Sequence, residues 1–97
     1  MQPLQGRPML FSLGIIVATP GAIEALEQAN QQPAEFLARH ARGDWGDLDA
    51  HDIAENQFSL ERDLRLLSSY RTANDSKLWI ITESDRSVTT LLLPDEY

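Results

Sequence analysis

No cysteine occurs in this 97-residue chain, so it can hold neither a disulfide nor a thiolate metal site. That absence fits a reducing compartment. Positive charge is scarce too: eight Lys and Arg against fifteen Asp and Glu give a formal net charge of −7. A protein that tracks a phosphate backbone needs a basic surface. The balance therefore argues against direct nucleic-acid binding and favours protein partners, solubility, or imitation of a polyanion. Long apolar runs are missing as well. The extended apolar stretch "MLFSLGIIVA" (9–18) is too short to span a bilayer. It follows Arg7 and precedes small residues, which gives it the look of an export signal, but a single basic residue precedes it and cleavage would remove a strand. The expectation is a cytoplasmic protein, with export as the alternative if residues 9–18 act as a signal segment. There is no P-loop, no G-x-G-x-x-G, no H-E-x-x-H and no nucleophile elbow, so no cofactor is expected. Internal repeats and low-complexity tracts are absent.

What remains is an ordinary globular composition, 42% hydrophobic and 24% charged, at a length that suits one domain. Residues 1–8, with two prolines and a glycine, read as a flexible N-terminal tail to a single domain over 9–97. Leu10 to Ala18 predicts a short strand. "TPGAIEALEQAN" starts a helix, with Thr19 as N-cap, Pro20 in the first turn, and Ile23 and Leu26 on the buried face. "QQPAEFLARHARG" repeats the pattern, with Phe36, Leu37 and Ala41 inward and Gly43 as the stop. A third helix is expected from an Asp49 cap to about Leu60, with Ile53, Gln57 and Leu60 at helical spacing and one polar gap at Gln57. Then "LRLLSSYRT" (64–72), "KLWIITE" (77–83) and "SVTTLLLP" (87–94) alternate with the turn segments "ANDS" and "SDR". They predict an antiparallel meander whose last strand, carrying three successive leucines, is central or covered on both faces. The fold class is α+β: an antiparallel sheet of three or four strands, the C-terminal meander plus the N-terminal strand, packed with two or three helices.

Two stretches invite a chemical reading. "HARGDWGDLDAHD" (40–52) holds both histidines, with two glycines, a tryptophan and, counting the last residue, four aspartates. His40 lies one turn after Phe36 on the same helical face, which suits a structural histidine or a general acid–base. "DLDAHDIAENQF" lacks the central glycine and terminal glutamate of an EF-hand, so no metal site is expected. Its carboxylates read instead as a negative first helical turn, and Trp45 between Gly43 and Gly46 as a cover on a sharp reversal. The acidic run Asp44, Asp47, Asp49, Asp52 and Glu55, with Trp45, is the candidate binding surface. The second stretch is "TESDRSVTT" (82–90), where Thr82, Arg86 and Thr90 surround one hairpin beside Arg65, Tyr70 and Arg71. Arginine with hydroxyls can hold a phosphate, and with His40 as acid–base such a set can cleave RNA without a metal.

"LGIIVATPGAIEALE", "PAEFLARHARGDWGDLD" and "LRLLSSY…LWIITESDRSVTTLLLPDEY" resemble a group of short bacterial proteins of plasmids and integrated mobile elements. The likeness spans Leu13 to Tyr97. Members are mostly described as uncharacterised or plasmid-related, and some carry the label of a type I restriction modification subunit. A methyltransferase subunit needs a cofactor-binding Rossmann domain and an Asn-Pro-Pro-Tyr-like loop, and this sequence has neither. It also departs from the group at Ile15, where a polar residue is usual after "LG". The resemblance implies a mobile-element context. Together with the charge it leads to one expectation: an accessory protein acting through protein–protein contacts, as a polyanion mimic of a basic DNA-handling partner in one version. The alternative is a small metal-independent ribonuclease or toxin using His40, Arg86, Thr82 and Thr90. A homodimer built on an exposed sheet edge is a further possibility.

Overall fold

A computed structural model describes residues 8–97. Seven residues of the expected N-terminal tail lie outside that range. Strand β1 (Ile15–Ala18) leads into α1 (Pro20–Gln28), followed by α2 (Pro33–Ala41) and α3 (Ala50–Arg62). Strands β2 (Leu66–Arg71), β3 (Lys77–Thr82) and β4 (Val88–Leu92) come next, and a 3₁₀ turn spans Pro94–Glu96. The α+β class is as expected. The helix starts follow the local chemistry: the Thr19 hydroxyl accepts from Ala22 N–H, and the Asp49 carboxylate accepts from Asp52 N–H at 2.8 Å.

One four-stranded sheet in the order β1-β4-β3-β2 forms the backbone of the fold. Its direction corrects the expected antiparallel sheet. The meander is antiparallel, but β1 runs parallel to β4, in the register Ile15↔Val88 to Ala18↔Leu91. No hairpin joins these two strands, so no turn dictates an antiparallel pairing, and the long helical connection permits a parallel one. Gly14, at φ +65, brings the chain into β1 against the Ser87 and Arg86 carbonyls, where a side chain has no room.

The two faces of the sheet differ. Leu66, Ser68 and Tyr70 of β2 share one face with Leu78, Ile80 and Thr82 of β3 and with Thr89 and Leu91 of β4, and all are buried. Ala22 and Leu26 of α1 and Phe36 of α2 complete the core there. The leucine run behaves as expected, since β4 is central and both Leu91 and Leu92 are buried. On the opposite face, Trp79 packs edge-on against Tyr97, whose hydroxyl accepts from Arg65 at 2.9 Å.

Two inward assignments need correcting. Ile23 is exposed, because α1 is narrow and buries Ala22, Ala25 and Leu26 instead. In α3 the buried residues are Asn56 and Ser59, while Ile53 and Gln57 face outward. That helix lies along the outer edge of β2 and meets strand backbone there, so it turns polar groups inward.

Candidate functional site

His40 stands in the last turn of α2 with its ring wholly buried, at 0% exposure. Phe11 and Trp45 pack edge-on against it, with centroids 5.2 and 5.7 Å away. Its Nδ1 lies 2.5 Å from Ser68 Oγ and its Nε2 lies 2.9 Å from Thr82 Oγ1. Thr82 Oγ1 is in turn 2.7 Å from Thr89 Oγ1, which donates to the Leu13 carbonyl at 2.7 Å. The last link sets all the others. Thr89 spends its single proton on Leu13, so it must accept from Thr82, and Thr82 must then accept from His40 Nε2–H. Nδ1 is left as the acceptor for Ser68. The imidazole is therefore neutral, with the proton on Nε2. Burial, and secondarily the positive charge of Arg86, push its pKa down to about 3.

Two of the four nuclease candidates, His40 and Thr82, thus meet in the interior, and Arg86 lies half-buried beyond Phe11. Thr82 is bonded to His40 and fully buried. Arg86 sits at φ 62 in the β3–β4 turn and donates to the carbonyls of Leu64, Glu83, Ser84 and Ser59. Its guanidinium closes the C-terminal end of α3 and lies 5.7 Å from the Phe11 ring centre. Thr90 projects from the other face of β4, in register with Ile81 and Val17. The companions expected around the hairpin also have separate duties. Arg65 pairs with Glu83 at 3.1 Å, Arg71 with Asp47 and Asp75, and Tyr70 lies in the core with its hydroxyl on the Asp44 carbonyl.

The acidic run does not present one surface. Asp44 pairs with Arg39 at 2.8 Å and accepts from Gly46 N–H. Trp45 is buried, stacked on Phe11, and its Nε1 has no hydrogen-bond partner among the described residues. Asp49 is used as the α3 cap, whereas Asp52 and Glu55 are exposed, with Glu55 4.0 Å from His51. Among the described residues no three His, Asp or Glu side chains are placed to hold a metal ion. A groove of about 350 Å³ between α1 and α2 is lined by Ile23, Leu26 and Pro33. The Gln31 amide beside it is already bonded to Glu35 and to Ala73 N–H.

The exposed sheet edge, which sequence reasoning did not assign to a strand, is the outer edge of β1. Ile15, Ile16 and Val17 are 67, 42 and 43% exposed on a strand that pairs on one side only. From Pro8 to Ile23 no side chain carries a charge, and that gap was the available signal. It was masked by a resemblance to a signal core. The residues of that stretch are tied into the fold, with Leu10 N–H on the Ala41 carbonyl and Ile15 N–H on that of Ser87. No helix among the described residues is long and apolar enough to cross a membrane. No protein-family model matches the chain, and no curated protein or solved structure matches it either.

Proposed function

We propose that this chain is a non-enzymatic accessory protein that works by binding protein, with the free edge of β1 as its contact. The observation that carries this reading is the exposure of three successive β-branched residues on an uncharged edge strand. Monomeric proteins usually blunt such an edge with charge or proline, because it is a template for strand addition. The mobile-element setting and a cytoplasmic location come from the resemblance and from the absence of cysteine. The polyanion-mimic version keeps the exposed Asp47, Asp52 and Glu55 as the groups a basic DNA-handling partner would meet. The ribonuclease alternative needs RNA to reach an imidazole that has no exposed surface.

Capture from a bacterial host at low salt, with partners identified by mass spectrometry, tests the reading. A stoichiometric protein lost with Val17→Lys is the expected result. A partner that ignores Val17→Lys but leaves with salt, or with Asp52→Asn and Glu55→Gln, moves the contact to the acidic surface. Cleavage of RNA by the purified chain, abolished by His40→Ala, would overturn the reading altogether.

A further inference from the structure

The β1 edge supports an inference that rests on the protein-contact reading and names the occupant. We propose that β1 pairs antiparallel with β1 of a second copy of this chain, fusing the two sheets into one around a two-fold axis at Val17.

The hydrogen-bond phase of β1 sets the register. Ile15 and Thr19 donate to Ser87 and Leu91 at 2.9 and 3.0 Å. Alternation along the strand therefore turns Ile15 and Val17 toward β4, and turns the N–H and C=O of Ile16 and Ala18 outward. An isologous antiparallel pair uses all of these outward groups in one register only, with Ile16 facing Ala18 of the partner subunit and Ala18 facing Ile16 of the partner subunit. Val17 then meets its own image, and Ile15 lies across from Thr19. The ladder ends where the chain can no longer supply it. Pro20, the next outward position, has no N–H, and the Gly14 N–H is already bonded to Ser12 Oγ. The edge is thus complementary to itself over the length that β1 offers.

Charge favours a second copy over an unrelated segment. Two chains of net charge −7 repel wherever their carboxylates approach, and β1 lies within the stretch from Pro8 to Ile23 that has none. A foreign peptide selected by an acidic protein would be held by charge at the docking edge, and no charged side chain stands in the strand. The exposed apolar side chains of Ile15, Ile16 and Val17 gain most from an equally apolar strand.

Sedimentation velocity on the purified full chain, from about 1 to about 300 μM, tests this, since short interfaces dissociate in the micromolar range. The expected result is a concentration-dependent dimer. Val17→Lys, which sets two ammonium groups face to face on the axis, should weaken it at least about tenfold. Ile16→Pro should do the same, because it removes an outward N–H and leaves the bonds to β4 in place. Circular dichroism should show both variants folded. Amide exchange on the wild type gives an independent readout, with Ile16 and Ala18 becoming protected as concentration rises. A wild type that stays monomeric throughout, or a dimer that both variants retain, overturns the inference. If the wild type is monomeric and Val17→Lys still abolishes capture of a host protein, the protein-contact reading stands and only the second-copy inference falls.

Discussion

The two edges of the sheet are finished in opposite ways. On β2, the outward backbone groups of Leu67 and Ser69 all have partners. The Asn56 side chain of α3 imitates a neighbouring strand, donating to the Leu67 carbonyl at 2.5 Å and accepting from Leu67 N–H at 3.1 Å. Two positions on, Ser69 N–H donates to the Trp45 carbonyl and the Ser69 carbonyl accepts from Asp47 N–H. Gly46, at φ +78, makes that approach possible, since a side chain there would strike the Ser69 carbonyl and the Tyr70 ring. Arg71, held between Asp47 and Asp75, adds charge to the same edge. On β1, among the described residues, there is no helix side chain, no connector and no charge. A protein of this size that closes one edge so fully shows what protection requires, and the bare edge is then informative by contrast.

The largest effect is expected from opening the closed edge. Asn56→Ala strands the N–H and C=O of Leu67 against the former helix contact and should lower stability by about 2–4 kcal/mol. Urea unfolding measures it, and a loss under about 1 kcal/mol would mean that water repairs the edge freely. Acid should act on the same half of the molecule. His40 is neutral when folded, with a pKa near 3 against 6.5 as a free side chain, so protons bind preferentially to the unfolded chain. Its contribution is complete above pH 6.5 and is lost as pH falls toward 3, with a slope approaching 1.4 kcal/mol per pH unit. His40→Gln should flatten that part of the stability–pH curve, and an unchanged slope would assign it to other groups. Glu96 adds a smaller loss at lower pH, because bonds from Thr19 Oγ1–H and the Leu93 and Gly21 N–H groups hold its pKa below the usual carboxylate range. The smallest effect belongs to the open edge: Ile15→Thr should change the stability of a single protomer by no more than about 0.5 kcal/mol. A larger loss in dilute samples would show that β1 is buried by something within its own chain.

Local chemistry made the helix starts legible at Thr19–Pro20, Pro33 and Asp49, and the turn-rich spacing made the meander legible. Non-local pairing was not legible. Nothing near Ile15 announces Val88, so the parallel strand escaped. The inward face of α3 was misread because an amphipathic pattern presumes an apolar core beneath the helix, and this one meets the backbone of a strand edge through Asn56. The place of His40 one turn after Phe36 is legible as a helix face, but its partners lie 28 and 42 residues away. One of them, Thr82, looked like an ordinary strand threonine as readily as a catalytic one.

The Ile15–Val88 pairing also bears on how the chain is made. β1 leaves the ribosome before β4, its strand partner among the described residues, which is not complete until Leu92 has been added. At elongation rates of about 5–20 residues per second, that wait is on the order of several seconds. Throughout it both edges of β1 are open, and in a polysome many nascent copies of the same strand stand close together. If β1 pairs with a second copy as proposed, the first contact between sister chains is a step in biosynthesis as well as a property of the finished protein.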